Sequence, residues 1–208
     1  MTARIIMKTC IALIIGSCIS GPVLAAKTQA PTTLDNLQAA FNGESNARVR
    51  YTEFAVKADA EGYKQVAALF RAAAKSEEIH AANFSKEIVK LHAEPKSNIK
   101  TIDVKTTKEN LEAALKGESY EKNTLYPGFA KKAETDKNMF ATRSFKGAIA
   151  AETMHAKLFS EALADMDAWR TPNKEFLVCT ICGYTTDDAT LKQCPVCAAP
   201  RDKFVSFK

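Results

Sequence analysis

The sequence predicts an all-α four-helix bundle followed by a small strand-and-turn domain that contains four cysteines. Three observations predict this fold class. Residues 34–169 are rich in Ala, Lys and Glu and carry apolar stripes with a 3.6-residue period. Within this region one connector is long and two are short. After Pro172 the composition changes abruptly to Cys, Thr, Val and Phe, with turn residues throughout.

The predicted helices span residues 34–60, 63–92, 108–134 and 136–169. Thr106 and Glu109 are spaced as a capping box, a side-chain arrangement typical of a helix start. Short turns make each successive pair of helices an antiparallel hairpin, and the polar stretch AEPKSNIKTIDVKTT between the pairs is long enough to cross the bundle. One long crossover is the ferritin-like connection. We expect a linker at 26–33, the bundle at 34–170 and the second domain at 171–208.

The first 25 residues have the pattern of a signal peptide. Arg4 and Lys8 form a basic start, a short apolar stretch follows, and Val-Leu-Ala at 23–25 offers a small-residue cleavage pattern. The uninterrupted apolar run is too short for a comfortable membrane span. We therefore expect a periplasmic, exported protein that is cleaved near Ala25 and has no stable membrane span after cleavage.

The leader has two alternatives: cleavage after Ala26, and a lipoprotein-type site that would leave Cys18 acylated. Its removal would take away two basic residues and no acidic one, so the formal charge would fall from +5 to +3. Lys is scattered among Glu without a block of like charge, which argues against nucleic-acid binding. Cys10 and Cys18 would leave with the leader, so the mature chain would keep four cysteines.

The two halves of the helical region repeat one another. Each half has Gly-Glu-Ser, a Tyr seven or eight residues after that Glu, and a Glu-x-x-His motif 33 or 34 residues after it. The repeated residues are Glu44, Tyr51, Glu77 and His80 in the first half and Glu118, Tyr126, Glu152 and His155 in the second. The bundle is therefore predicted to be a duplicated helix hairpin.

The repeated carboxylates and imidazoles lie on the apolar stripes of their helices. A single Glu on such a stripe is more often a partly exposed residue, and a single Glu-x-x-His motif arises by chance. Four matching positions at duplicated spacing instead favour a metal site, because several buried carboxylates with two histidines make sense around cations. Glu from two helices and Glu-x-x-His from the other two is the donor set of dinuclear carboxylate bundles, and it suits iron or manganese.

Three further positions complete the interpretation of the helices. Glu121 lies three residues after Glu118 on the same face, where the first half has Ala47, and periodicity alone leaves it either a ligand or a surface residue. His92 is expected near the C-terminal dipole of the second helix. The inward stripe of that helix is expected to continue to Leu91.

The second domain contains two Cys-x-x-Cys motifs separated by eleven residues, formed by Cys179, Cys182, Cys194 and Cys197. Two such knuckles can surround one tetrahedral metal with four thiolates. Gly and Pro in the tight turns favour this arrangement over two disulfides. The spacing leaves iron and zinc open, and CGY followed by CPVC favours a rubredoxin-type iron site.

With these ligands and this tail, the chain from about Leu34 to Phe207 resembles the rubrerythrin family, in which a ferritin-like di-iron bundle precedes a rubredoxin-like domain. The resemblance implies two non-haem irons held by Glu44, Glu77, His80, Glu118, Glu121, Glu152 and His155. It implies that Glu77 and Glu152 bridge the irons and that one iron exchanges His80 for Glu121 between redox states. It also places Tyr51 and Tyr126 near the irons, where they would fill the core as well.

The activity implied by the resemblance is a peroxidase that reduces hydrogen peroxide to water in oxidative-stress defence, with electrons relayed through the iron of the four cysteines. Its partners would be peroxide and a redox donor protein such as a periplasmic cytochrome. Because the tail is expected to lie far from its own bundle, a head-to-tail homodimer is implied. The alternatives are a ferroxidase or iron-handling protein that uses oxygen, and a non-catalytic metal-binding protein with zinc in the tail.

Overall fold

The computed structural model describes residues 30–208, and residues 31–208 form one compact unit. The predicted signal peptide, with its cleavage site and Cys18, lies outside the described residues, as do residues 26–29 of the predicted linker. Within the described part of the chain, no helix is both long enough and apolar enough to cross a membrane.

Residues 33–164 form the predicted four-helix bundle. The helices are α1 (Thr33–Ala60), α2 (Lys64–Lys90), α3 (Thr107–Tyr120), α4 (Tyr126–Thr135) and α5 (Met139–Ala164). Between α3 and α4, residues Glu121–Leu125 are π-helical, and the backbone at both junctions stays in the helical region. The third bundle helix is therefore one continuous rod with a wider turn in its middle.

The helix ends follow local chemistry. The predicted capping box of Thr106 and Glu109 is present at the start of α3, and α1 begins with an equivalent box formed by Thr32 and Asp35. Between α1 and α2 the chain turns at Gly62, whose φ of 80° lies in the left-handed region that favours glycine. These signals are local, which is why the other predicted helix ends lie within about three residues of the observed ones, whereas the last helix ends at Ala164, before the predicted end at 169.

The crossover runs along α1 and is held there by a ladder of amides. Gln38, Asn42 and Asn46 stand four residues apart on α1, and each bonds the crossover backbone. Asn46, for example, donates to the Asn98 carbonyl at 3.0 Å and accepts from the Lys100 amide at 2.8 Å. These amides satisfy backbone groups of the extended segment that have no partner in regular secondary structure.

The bundle core contains two aromatic clusters, and each includes one of the two repeated tyrosines. One contains Tyr51, Phe54, Phe70 and Phe159, and the other contains Phe84, Tyr126, Phe129 and Phe145. The predicted inward stripe of α2 is right as far as Ile88 but wrong at Leu91, which is 39% exposed. Leu91 follows the last residue of α2, so the helical period no longer applies to it.

The C-terminal domain is the predicted strand-and-turn unit. Its three strands are β1 (Phe176–Cys179), β2 (Thr185–Thr186) and β3 (Phe204–Phe207), which form an antiparallel sheet in the order β2-β1-β3. Strand β1 is fully buried, because it packs between its neighbours and against α2. Trp169, in the turn after α5, stacks on Phe176 and covers the start of β1.

Candidate metal centres

The structure brings together six of the seven residues predicted for the bundle site. They come from the four rods of the bundle and are at most 2% exposed: Glu44, Glu77, His80, Glu118, Glu152 and His155. Charged residues are almost never this buried unless they are paired or bind a cation.

The six residues form two groups that share two carboxylates. Glu44 and His80 belong to one group, Glu118 and His155 belong to the other, and Glu77 and Glu152 belong to both. Glu77 places Oε2 at 2.8 Å from His80 Nδ1 and Oε1 at 3.3 Å from His155 Nδ1. Glu152 places Oε1 at 3.2 Å from His80 Nδ1 and Oε2 at 2.9 Å from His155 Nδ1. Each shared carboxylate thus presents one oxygen to each group, which is the geometry of a bridging ligand.

The two tyrosines connect the halves of the duplication. The Tyr51 hydroxyl donates to Oε1 of Glu118, and the Tyr126 hydroxyl donates to Oε1 of Glu44. Each tyrosine therefore ties one oxygen of the carboxylate in the opposite half and leaves the other oxygen for a metal. Both rings also belong to the aromatic clusters, so core filling and support of the site occur together.

The donor atoms fit a pair of cations. Among the described residues, seven buried side-chain atoms of the site have no hydrogen-bond partner: Glu44 Oε2, Glu77 Oε1, His80 Nε2, Glu118 Oε2, both oxygens of Glu152, and His155 Nδ1. Most of them face one another rather than a donor. Buried acceptors that converge without donors are rare in folded proteins, and a metal ion satisfies them at once.

The electrostatics point the same way. Burial raises the pKa of Glu44 well above its usual range, and the neighbouring carboxylates of Glu77 and Glu152 raise it further. Burial lowers the pKa of His80, but the carboxylates of Glu152 and Glu77 together outweigh this effect and raise the pKa to about 10. Without cations the cluster must hold protons, and binding of metal replaces them.

Glu121, the seventh predicted residue, lies at the edge of the site. It is half-buried, opens the π-helical segment and belongs to neither group of four. Burial and then the negative charges of Glu152 and Glu77 raise the pKa of Glu121 to about 8. Glu121 is therefore close enough to these two carboxylates to feel their charge. The π turn also explains the one-residue difference between the halves, because the extra residue is absorbed at Glu121–Leu125.

A cavity of about 750 Å³ reaches Glu121 from the surface. It lies between α1, α3 and the crossover, and its lining includes Asn42, Asn46, Arg50, Lys100, Glu112 and Glu121. Arg50 is half-buried beside it, with its guanidinium 5.7 Å from the centre of the Tyr51 ring. The cavity gives a small polar molecule a path to the Glu121 side of the site.

The four tail cysteines converge as predicted, and none forms a disulfide. Cys179 Sγ lies 3.6 Å from Cys197 Sγ, and Cys182 Sγ lies 3.5 Å from Cys194 Sγ. A tetrahedron with metal–sulfur bonds of about 2.3 Å has edges of about 3.8 Å, close to these separations. The hydrogen bond from Cys182 lowers the pKa of Cys179 to about 5, so one thiolate is already favoured.

The expectation that the tail lies far from its own bundle is wrong. Strand β1 follows α2 from Gln65, whose side chain bonds the backbone of Asn173 and Lys174, towards the middle of that helix. There Ser76 Oγ donates to the Gly183 carbonyl at 2.7 Å, and the Asn83 amide donates to the Ile181 carbonyl at 2.9 Å. The first cysteine knuckle is thereby held against the metal-facing part of α2 in the same chain.

Two tail residues that sequence reasoning did not assign to the bundle site touch its histidines. A Cβ on Gly183 would collide with the imidazole of His80, so only glycine permits this approach. Thr185 Oγ1 lies 3.0 Å from His155 Nε2. These contacts join residues 30 or more positions apart, and no local pattern marks them. For Gly183, the sequence pattern indicates only a tight turn.

The chain matches two protein-family models, Rubrerythrin over residues 35–163 and "Rubrerythrin, rubredoxin-like domain" over residues 178–205. It is 35% identical to nigerythrin from Nitratidesulfovibrio vulgaris, with 89% of this chain and 91% of that protein covered. It is 34% identical to rubrerythrin-2 from Clostridium acetobutylicum, with 84% and 96% covered.

Among solved structures, nigerythrin in its fully reduced, all-ferrous state superposes with a TM-score of 0.79 at 31% identity, covering 95% of this chain and all of that one. The first family model covers the bundle that holds the two groups of four, and the second covers the domain that holds all four cysteines but for its edges at 178 and 205. The chain belongs to the rubrerythrin family.

Proposed function

We propose that this protein is a non-haem di-iron peroxidase that reduces hydrogen peroxide to water, with electrons relayed through a rubredoxin-type iron–tetrathiolate centre. One observation carries the proposal: within one chain, the first cysteine knuckle is packed against the histidines of a buried site for two metals. Iron storage and a purely structural metal site do not require a redox-capable centre in contact with the bundle site, whereas a peroxidase requires a supply of electrons.

The residues divide the task. Glu77 and Glu152 would be shared by two irons, and Glu44 with His80 and Glu118 with His155 would complete their ligands. Glu121 lies outside both groups, and the family resemblance implies that it would be the alternative ligand to His80. When bound, two ferrous ions supply the two electrons that, with two protons, convert one hydrogen peroxide into two waters. The chain's own contribution is to hold the ligands in place and to exclude bulk water, since the six central side chains are almost completely buried.

The cavity beside Glu121 suits the proposed substrate. Its walls combine basic and acidic side chains, among them Arg50, Lys100 and Glu112, and therefore favour a small, uncharged, hydrogen-bonding molecule over an ion. Glu121 stands at the inner wall of this cavity and His80 on the side that faces the tail. Peroxide and electrons would thus approach the site from different sides.

Anaerobic stopped-flow on the reduced, iron-loaded protein tests the function. The ferric-thiolate colour of the tail is followed after mixing with peroxide or with oxygen in separate runs. If the protein is a peroxidase whose bundle site receives electrons from the tail, the ferric-thiolate colour develops quickly with peroxide and slowly with oxygen. Faster oxidation by oxygen would replace the proposal with the ferroxidase, and no colour with either oxidant would indicate zinc in the tail or a disconnected centre.

The direct contact between tail and bundle supports a relay within one chain. A chain with Glu77→Ala lacks a bridging carboxylate, and a chain with Cys194→Ser lacks a tail ligand. If the relay runs within a chain, a refolded mixture of the two has no more peroxidase activity than the separate chains. Restored activity in the mixture would support the head-to-tail homodimer, which stays a prediction.

We also propose that the protein is exported and draws electrons from a periplasmic redox protein such as a cytochrome. The basic, apolar and Val-Leu-Ala segments of the first 25 residues support export. Cell fractionation with N-terminal sequencing tests it, and the expected product begins near Ala26. Recovery of the protein in the cytoplasm with its first 25 residues intact would contradict both proposals.

A further inference from the structure

The two histidines of the site face the tail with their outer nitrogens. Both use Nδ1 on the carboxylate side, where it lies 2.8 Å or 2.9 Å from the Glu of its own Glu-x-x-His motif. His80 Nε2 points to the bare backbone of Gly183 and has no hydrogen-bond partner among the described residues. His155 Nε2 meets the Thr185 hydroxyl at 3.0 Å. The tail therefore offers a hydrogen-bond partner to His155 but none to His80, although the two histidines occupy equivalent positions in the duplicated bundle.

The direction of the His155–Thr185 bond follows from the next bond in the chain of contacts. The Thr185 hydroxyl has one hydrogen, and it donates this hydrogen to the Gly183 carbonyl at 3.2 Å. It can then only accept from His155, so the imidazole carries its hydrogen on Nε2. In a neutral ring this leaves the lone pair on Nδ1, the nitrogen that faces Glu77, Glu118 and Glu152.

The network is anchored on both helices that supply the Glu-x-x-His motifs. The Gly183 carbonyl accepts from Thr185 and also from Ser76 Oγ of α2, while His155 belongs to α5. His155, Thr185 and Ser76 are all 0% exposed, so water does not compete for these bonds. The Gly183 carbonyl is thus fixed by Ser76 of α2, and it in turn fixes the Thr185 hydroxyl that contacts His155.

We propose that Thr185 is a positioning residue for the bundle metal site: it fixes the tautomer and orientation of His155, while glycine at 183 leaves His80 unrestrained. The tail thereby makes His155 the permanent ligand and His80 the exchangeable one. A hydrogen bond to the outer nitrogen of a metal-binding histidine is a known way to orient the ring and raise ligand basicity. Here the bond comes from a different domain.

Metal binding by the full chain with its tail already metallated provides the first test. Zinc is titrated into the bundle against a chromophoric chelator. Thr185→Val, which keeps the shape and removes the hydroxyl, is expected to weaken one of the two bundle sites about 10–100-fold. Thr185→Ser should restore wild-type affinity. Thr180→Val is the matched control, because within residues 30–208 the Thr180 hydroxyl bonds only the Lys203 carbonyl, at the surface.

Proton–nitrogen NMR of the zinc-loaded protein provides a second readout that a packing role would not change. The chain has three histidines, so the imidazole signals are few. The His155 Nε2–H is expected to resonate downfield and exchange slowly in wild type and in Thr185→Ser, and to lose both properties in Thr185→Val. His80 is expected to show no protected Nε2–H in any variant.

Two zinc ions bound with equal affinity by wild type and Thr185→Val, or an unchanged His155 signal, would overturn the inference. If Thr185→Val does not fold, the wild-type spectrum alone tests the inference. The absence of a protected His155 Nε2–H close to the Thr185 methyl protons would contradict the inference as well. The inference rests on the proposed metal site but fails separately. A bundle that binds no metal refutes the proposed function, whereas binding that is indifferent to the hydroxyl refutes only the role of Thr185.

Discussion

The two halves of the bundle share their donor residues, their tyrosines and their capping boxes, and they differ by one inserted residue. In the first half, α1 is regular from Thr33 to Ala60, and the position three after its Glu is the buried Ala47. In the second half the corresponding rod contains the π segment, and that position is Glu121. The comparison indicates that the duplicated residues form the symmetric part of the metal site. The inserted residue occurs in the segment that begins with Glu121, the carboxylate without a counterpart in the first half.

The largest expected effect tests the symmetric part. Glu77→Ala and Glu152→Ala should each reduce bundle metal from two ions to fewer than one per chain, because each carboxylate serves both groups. The loss of affinity should exceed the roughly 10–100-fold that removal of a supporting partner causes. Metal analysis measures it, with the thiolate absorption of the tail as an internal control. Loss of only one ion in either variant would contradict shared ligation.

The next effect tests the asymmetric part. Glu121→Gln should retain two bundle metals, since Glu121 lies outside both groups of four, but should lower peroxide turnover by about 10–100-fold. Metal analysis and steady-state assays measure the two properties. Glu112→Gln is the control, because Glu112 lines the same cavity, is exposed and belongs to neither group of four. Equal turnover in both variants would show that Glu121 is only a wall of the cavity.

The tyrosine pair tests whether the halves are energetically equivalent. Tyr51→Phe and Tyr126→Phe each leave a buried carboxylate oxygen without its donor, which typically costs about 1–3 kcal/mol. Similar losses are expected from chemical denaturation of the metal-free protein. Tyr120→Phe is the control, since Tyr120 is 55% exposed. A cost for one tyrosine only would mean that the π turn has made the halves unequal here too.

A smaller effect is expected at the helix starts. Thr32→Ala and Thr106→Ala each remove a capping box, and such changes cost about 0.5–2 kcal/mol. The boxes lie on separate helices, so the double variant should lose the sum of the two. Thermal unfolding measures all three. A marked departure from additivity would show that the two hairpins do not unfold as independent contributors.

The smallest effect depends on pH and concerns the bonds between the halves. The Thr107 amide donates to Glu61, and the Thr33 hydroxyl donates to Asp136, so each helix start is tied to the turn of the other half. The bond with Thr107 lowers the pKa of Glu61 from 4.5 to about 2. Because the folded pKa is the lower one, this stabilisation is complete above pH 4.5 and disappears as pH falls towards 2.

Glu61→Gln should therefore melt below wild type at pH 7, and the difference should shrink as the pH approaches 2. Asp136→Asn should behave in the same direction, since its pKa is also lowered. Glu53→Gln, whose side chain is exposed, serves as the control. A melting difference that is constant with pH would show that the carboxylate charge of Glu61 is unimportant.

Much of the site could be predicted because its information is local and repeated. Glu-x-x-His places two donors on one helical face at any point of a helix, and its recurrence with a Glu 33 or 34 residues earlier identified the hairpin. The stripe of α2 failed only at Leu91, beyond the last helical residue, where the helical period no longer applies. The one-residue offset was visible in the sequence, but spacing does not reveal whether a π turn or a loop absorbs it.

The sequence by itself determined the helices, their caps, the donor set of the bundle and the four thiolates, because each depends on residues within a turn or two of one another or on a motif that occurs twice. Only the tertiary structure decided where the tail lies and which histidine it holds. The bonds of Thr185 to His155 and of Ser76 to Gly183 join residues 30 and 107 positions apart. Such contacts are set by the packing of β1 along α2, and packing is a property of whole surfaces that no short pattern records.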